Sequence, residues 1–402
     1  MFWEKRLDNA LSRLKETVHA PLRLVLWDGR EFAFADAPRV TLRLNDTQAA
    51  SVLRRPSLVG LARAYIEGSA EIEGNIRELI QSAVAISKAV SSSPFDSRPG
   101  LGGRHSRTDD REAIQHHYDV SNEFYALWLD PRMVYSCAYF HSGDDSLGDA
   151  QRQKLDHICR KLRLQPGERF LDIGCGWGAL AIHAAREYGV HATGITLSAN
   201  QHRLATELIR EARLEDRCRV LLQDYRDLPG EGTFDKVASV GMFEHVGLAN
   251  LPTYFGVVRR VLREGGLFLN HGITSSDTRN REVGMGAGEF IERYVFPKGE
   301  LPHLHCAVRE MSEQDLEVHD VECLRPHYAK TLGLWSAAFE RRLPEAVAAS
   351  SERTARIWRL YLAGCAHGFE QGWISIYQVL ATRRAEAGLT SLPLTRDWMY
   401  PH

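Results

Sequence analysis

The chain has 402 residues, 44% of them hydrophobic and 25% charged, with a formal net charge of -2. These are ordinary globular values, so two or three domains with sizeable cores are expected. A nucleic-acid binder driven by a basic surface is excluded. Cysteines 137, 159, 175, 218, 306, 323 and 365 are odd in number and form no CxxC pair, which suits a reduced, cytoplasmic chain. The opening stretch MFWEKRLDNALSRLKE is charged and lacks the apolar centre of a secretory signal. No window approaches the roughly 18 uninterrupted apolar residues of a membrane span.

Residues 1–90 read as a small α+β module. LRLVLWDGREFAFA alternates apolar and polar residues around Asp28-Gly29, a strong hairpin signal. Helical stretches are expected near Asn45–Arg54 and Ile76–Val90. Residues 91–110, SSSPFDSRPGLGGRHSRTDD, are rich in Ser, Gly, Pro and charge and read as a flexible linker. From 111 to 402 strand and helix alternate: strand 169–174, helix 179–189, strand 191–196 and helix 199–213. RCRVLLQD, FDKVASV and GLFLNHGIT supply further strands. This alternation predicts an α/β domain, a parallel sheet covered on both faces, with ligands at the carboxyl ends of its strands.

Phe170-Leu171-Asp172-Ile173-Gly174-Cys175-Gly176-Trp177-Gly178 joins the first of these strands to its helix. Its glycines allow a sharp turn and close backbone approach to a ligand. Asp172, at the strand end, can face the ammonium of an amino-acid ligand and would repel a phosphate. The same loop fits a dinucleotide pattern, but two features favour a methyl donor. The second strand ends Gly194-Ile195-Thr196-Leu197-Ser198, without the acid that a nicotinamide ribose needs. A later strand ends Gln223-Asp224-Tyr225, where an acid beside an aromatic ring can grip an adenine.

Several further segments resemble the cyclopropane fatty acid synthase family, which includes the mycolic acid cyclopropane synthases. His117–Tyr125 is similar to that family's helix over the donor site, and Tyr135-Ser136-Cys137-Ala138-Tyr139-Phe140 follows it. After the glycine loop come Gly194–Ser198 with Gln201, then Met242-Phe243-Glu244-His245-Val246-Gly247 and Asn270-His271-Gly272-Ile273. Tyr294–Pro302 and His327-Tyr328-Ala329-Lys330-Thr331-Leu332 complete the set.

The resemblance implies a Rossmann-like class I methyltransferase fold behind a small N-terminal domain for lipid or membrane association or dimerisation. It implies S-adenosylmethionine as donor, contacted by Tyr135, Ser136, Asp172, Gly174, Gly176, Thr196, Leu197, Gln201, Asp224 and Tyr225. The implied reaction is cyclopropane formation on the cis double bond of unsaturated phospholipid acyl chains. Bound bicarbonate would be the base, held by Cys137, Glu244, His271, Ile273 and Tyr328, with the N–H groups of Cys137 and Ile273 donating to it. No metal is expected. Peripheral contact with the inner face of the membrane and a homodimer are further expectations. Two alternatives stay open: a methyl-branched or methylene product, and a catalytically silent lipid-binding homologue.

Other features read more plainly. Trp177, Phe243, Tyr254, Phe255, Phe290, Tyr294 and Phe296 would suit an acyl channel. YFGVVRRVLR, residues 254–263, reads as a helix packed on the sheet more than as a head-group contact. The spacing of His303, His305 and Cys306 suits no structural zinc site and reads as a surface loop. His116-His117 reads as a helix start.

Overall fold

A computed structural model of the chain describes residues 2–47, 49, 58–90, 95–99, 120–284, 286–296, 299–385 and 392–400. A helix at Phe2–Thr17 leads into the expected hairpin. β1 (Leu22–Val25) and β2 (Glu31–Ala33) pair antiparallel. Between them the Gly29 N–H donates to Leu26 O at 3.0 Å. β3 (Val40–Leu44) runs parallel to β1, and β4 (Ala70–Gly74) runs antiparallel to β3. The helical stretch expected near 45–54 is not helical over its described part. There the Asp46 carboxylate accepts from the Ala49 N–H at 2.8 Å, an i to i+3 contact of the kind that also caps helices. Residues 48 and 50–54 lie outside the described residues. The helices here are Leu58–Ile66 and Ile76–Val90.

Within the stretch read as a linker, Phe95–Pro99 (β5) forms a strand paired antiparallel with Arg281–Val283 (β11). Ladder hydrogen bonds there outweigh the local Ser/Pro preference for irregular chain. The remainder of 91–110, with His116, His117 and the rest of 111–119, lies outside the described residues.

The larger sheet contains β6 (Arg169–Ile173), β7 (His191–Thr196), β8 (Cys218–Leu222), β9 (Phe234–Val240), β10 (Leu262–Ser275), β12 (Leu316–Cys323) and β13 (Ile374–Arg383). Their order is β12-β13-β10-β9-β6-β7-β8. All run parallel except β13, which is antiparallel to both β10 and β12. The connections leave in opposite directions from the β6–β9 pair, opening a crevice at their carboxyl ends. Helix Leu251–Val261 covers the sheet through Tyr254, Phe255, Val258 and Val261, all fully buried. Its Arg260 donates to the carbonyls of Leu228 and Gly230 at 2.8 Å. The basic stretch is therefore a sheet-packing helix, as its pattern suggests. Among the described residues no helix is long and apolar enough to cross a membrane.

The N-terminal sheet docks on helix Glu352–Glu370 through two arginines. Buried Arg359 meets the Glu340 carboxylate at 2.6 and 2.8 Å and the Tyr65 hydroxyl at 3.0 Å. Arg356 reaches the Glu71 carboxylate at 2.7 Å. A buried guanidinium paired in this way leaves little of its charge unsatisfied. Around these contacts Leu24, Leu42 and Tyr65 join one continuous apolar cluster with Trp128, Trp358 and Phe369.

Candidate active site

Two cavities meet at the carboxyl ends of β6, β9 and β10. The smaller, about 130 Å³, is lined by the glycine turn, Asp172, Thr196, Leu197, Gln201, Gln223 and Tyr225. Gly174 has φ +77°, and a Cβ there would meet Met242 Cβ at 2.9 Å, so no side chain fits. Helix Ala199–Glu211 is capped by Ser198, whose Oγ accepts from the Gln201 N–H at 3.3 Å. This places Gln201 so that its Oε1 accepts from the Thr196 hydroxyl at 2.8 Å. Asp172 is buried, and its Oδ1 has no hydrogen-bond partner among the described residues. Burial raises its pKa to about 7, against the pull of the nearby Lys154 ammonium.

Lys154 is itself buried, its pKa lowered to about 8 by desolvation, and it donates to Ser136 Oγ at 2.8 Å. Gln151 fixes the backbone of the same residue, donating to Ser136 O at 2.9 Å. Neither position stood out in the sequence. Both belong to helix Leu147–Lys161, and their spacing of three residues puts them on one face.

The larger cavity, about 270 Å³, is lined mainly by apolar side chains. Cys137, Glu244, His271, Ile273 and Tyr328 all lie on its wall, and Tyr135, Ser136, Gly241 and His245 border both cavities. Local hydrogen bonds explain why the conspicuous segments converge. The Phe140 N–H donates to His327 Nδ1 at 3.0 Å and the Ala138 N–H to Thr331 Oγ1 at 3.1 Å, clasping segment 135–140 to helix Arg325–Arg341. The Leu248 N–H donates to Glu300 at 2.7 Å. Gly272 lies against the Phe243 ring, where a Cβ would come within 2.9 Å.

Glu244 sits in the short turn after β9. Its Oε1 accepts from the Ile273 N–H at 2.6 Å, while its buried Oε2 has no partner among the described residues. Burial lifts its pKa to about 7, and the Ile273 N–H opposes that rise. His271 is fully buried on β10, directly across from Gln378 on β13. The Gln378 amide donates to His271 Nδ1 at 3.1 Å, which puts the imidazole proton on Nε2. That Nε2 is buried and has no partner among the described residues. Desolvation holds His271 well below its usual pKa, so it is a neutral N–H donor. Tyr328 packs on Phe369 with ring centroids 4.6 Å apart, and burial keeps its hydroxyl protonated.

The comparisons with known proteins agree with this geometry. A family model described as mycolic acid cyclopropane synthetase matches residues 105–379, and a domain of unknown function matches residues 11–93. The chain belongs to the mycolic acid cyclopropane synthetase family. It is 51% identical over 385 residues to a probable fatty acid methyltransferase of Pseudomonas putida, covering 96% of this chain and 98% of that one. A cyclopropane-fatty-acyl-phospholipid synthase of Escherichia coli is 42% identical over 273 residues, covering 68% of each. The crystal structure of mycolic acid cyclopropane synthase CmaA1 complexed with SAH and CTAB superposes with a TM-score of 0.64 at 37% identity, covering 68% of this chain and 98% of that one. The fold is that of class I S-adenosylmethionine-dependent methyltransferases, and the family's reaction is methyl or cyclopropane transfer to lipid acyl chains.

Two of the positions named by the resemblance carry contacts within the protein. The Ile273 N–H donates to the Glu244 carboxylate, the turn after β9 bringing that carboxylate against β10. Both Asp224 oxygens are held by the Arg226 guanidinium, at 2.9 and 2.7 Å. Gln223 and Tyr225, rather than Asp224, line the donor cavity. The Cys137 side chain is fully buried. Burial pushes its thiol far above the ordinary range, and its Sγ donates to Ala138 O at 3.2 Å.

The proposed channel aromatics divide. Phe290 and Phe296 line the acyl cavity, Trp177 lines the donor cavity, and Phe243, Tyr254 and Phe255 belong to the core against the sheet. Tyr294 packs at the edge of the N-terminal cluster. His303 is not in a loop but caps helix Leu304–Glu313, its Nδ1 accepting from the His305 N–H at 3.2 Å. Among the described residues no cluster of His, Cys, Asp and Glu is arranged to hold a metal.

Proposed function

We propose that this enzyme forms a cyclopropane ring on a cis double bond of unsaturated phospholipid acyl chains, with S-adenosylmethionine as methyl donor and bicarbonate as proton acceptor. The observation that carries the reading is the pair of buried, unpartnered atoms Glu244 Oε2 and His271 Nε2 on one wall of an apolar cavity beside the donor cleft. An acceptor and a donor left unsatisfied in one cavity fit a small anion that carries its own O–H. The unpartnered Asp172 Oδ1 beside the glycine turn likewise fits the ammonium of an amino-acid donor. When bound, S-adenosylmethionine supplies an electrophilic methyl and bicarbonate a base for the surplus proton.

The residues of the chain do the rest. Asp172 and the glycine turn orient the donor, with Thr196, Leu197, Gln201, Tyr225, Tyr135 and Ser136 completing its cavity. Glu244 accepts the anion's O–H, while His271 Nε2–H, the Tyr328 hydroxyl and the Cys137 N–H donate to its oxygens. Apolar walls exclude water that would trap a cation on the acyl chain, and the faces of Tyr328 and Phe369 steady that cation without reacting.

The phospholipid substrate takes its support from the Escherichia coli relative's name. Reaching it calls for peripheral contact with the inner face of the membrane, in which the N-terminal region and a homodimer would take part. A second reading, a methyl-branched or methylene product, is favoured by the name of the Pseudomonas putida relative. Expression in a bacterium lacking such an enzyme, followed by lipid mass spectrometry and proton NMR, separates them. Gain of one CH₂ with loss of the alkene signal supports the ring. Two further hydrogens indicate a saturated branch, retained unsaturation indicates a methylene, and an unchanged lipid profile overturns both.

A further inference from the structure

Among the polar groups lining the acyl cavity that the reaction above does not use, His367 is set apart by its burial and its unpartnered ring. His367 lies on helix Glu352–Glu370, is 7% exposed, and lines the cavity beside Ile80, Val84, Gly364 and Gly368. Neither of its ring nitrogens has a hydrogen-bond partner among the described residues. The nearest carboxylate, Glu370, is 3.8 Å from Nδ1 and is held in an ion pair by Arg77. The ring stands edge-on to Trp373, with centroids 5.4 Å apart, and Lys88 lies over that indole at 5.8 Å. Burial, with the positive charges of Lys88 and Arg77, lowers the His367 pKa to about 4. The ring is therefore neutral at pH 7 and presents one N–H donor and one acceptor.

An unsatisfied N–H facing an apolar cavity is costly unless the ligand satisfies it. A long acyl chain brings one strong acceptor into such a cavity, the carbonyl oxygen at its head. Tyr361, on the same helix, meets the Tyr135 hydroxyl at the donor side at 3.0 Å. His367 follows six residues later, about 9 Å of axial rise, a span of several carbon–carbon bonds in an extended chain.

Resting on the acyl-chain reading, we infer that His367 donates a hydrogen bond to the acyl carbonyl of the substrate. It thereby acts as the ruler that sets which carbon–carbon bond lies against the methyl donor.

The test uses the full-length protein with vesicles of an unsaturated phosphatidylglycerol, in its ester-linked form and in an ether-linked form that lacks the carbonyl. The wild type should show a KM about tenfold lower for the ester. His367→Leu should raise the ester KM to the ether value, leave the ether KM and the donor Kd unchanged, and blur the position of the modified bond on mass spectrometry. His367→Gln, which keeps an N–H, should recover most of the preference. A free unsaturated fatty acid run in parallel shows whether a carboxyl carbonyl serves as well as an ester. Equal effects of His367→Leu on ester and ether lipids, or no effect on either, would overturn the ruler while leaving the acyl-chain reading intact. No turnover of any of these lipids by the wild type would sink both.

Discussion

The two cavities were assembled by the chain in different ways. Most of the donor cavity comes from consecutive turns at the ends of β6, β7 and β8, each within a few residues of a strand. The acyl cavity draws on helices Leu58–Ile66 and Ile76–Val90, the β9 and β10 ends, helix Ala287–Tyr294 and helix Glu352–Glu370. One is a local consequence of a βαβ unit. The other exists only once segments some 300 residues apart have packed. If this division is right, polar substitutions at the donor side should change donor affinity alone, and changes across the acyl side should leave the donor untouched.

The largest effect is expected at the junction. Glu244→Gln should lower turnover by about 10²- to 10³-fold while calorimetry finds the donor Kd within about twofold of wild type. Tyr328→Phe should behave likewise. Loss of donor binding in either variant would merge the two cavities into one functional unit. The pH dependence has a definite sign. Glu244 accepts the anion's O–H most strongly, and has no proton of its own in the way, when ionised, and its pKa is raised to about 7, so turnover should rise with pH through that value. Stability moves the other way. With the folded pKa above the unfolded one, this group's contribution is fully present below about 4.5 and is lost as pH rises through about 7. Thermal melts of Glu244→Gln should lack that part of the slope.

Next comes Asp172→Asn, which removes the carboxylate from the donor cavity. Donor affinity should fall by about 10- to 100-fold, the range for a charged hydrogen bond, with lipid KM unchanged. The wild-type donor affinity should also improve as pH rises through about 7, where Asp172 ionises, and the variant should lose that trend. An Asp172→Asn effect on lipid KM would break the separation.

The same division explains what could be read in advance. Strands 169–173, 191–196 and 234–240 and the turn around Asp172 follow from apolar runs, glycines and caps within a few residues, all written in consecutive positions. Glu244, His271 and Tyr328 were found through motifs rather than through any pattern of their own, and the fold brings them to one wall. Gln378 was invisible because its importance lies in cross-strand register with His271, which no single strand announces. The pairing of Asp224 with Arg226, two residues away, was likewise not legible, since neighbouring charges can as well face solvent or a ligand. Leu58, Leu61 and Val84 carry only an ordinary amphipathic pattern. Nothing local distinguishes packing on a sheet from lining a cavity.

Gln378→Leu sharpens the picture at an intermediate scale. Without the amide at 3.1 Å, His271 Nδ1 loses the donor that keeps the proton on Nε2. Losing an orienting partner of this kind costs about tenfold in activity, so kcat should fall by that much with donor Kd and lipid KM unchanged. The imidazole nitrogen NMR shifts should report a mixture of tautomers.

The smallest effect probes the N-terminal contribution. Val84 is buried, lies on helix Ile76–Val90, and lines the acyl cavity. Val84→Phe adds volume where a chain would lie, and overpacking of this kind costs about 1–3 kcal/mol when the surroundings cannot give. Because one side of Val84 is open cavity, most of that cost should fall on the ligand rather than on folding. The KM for long acyl chains should rise about threefold to tenfold, shorter chains should be spared, and saturating turnover and donor Kd should stay as they were. The result should hold for detergent-dispersed lipid as well as for vesicles, since a cavity wall acts whatever delivers the substrate. If the N-terminal region served the bilayer alone, the substitution would alter vesicle binding, vanish in detergent and show no dependence on chain length.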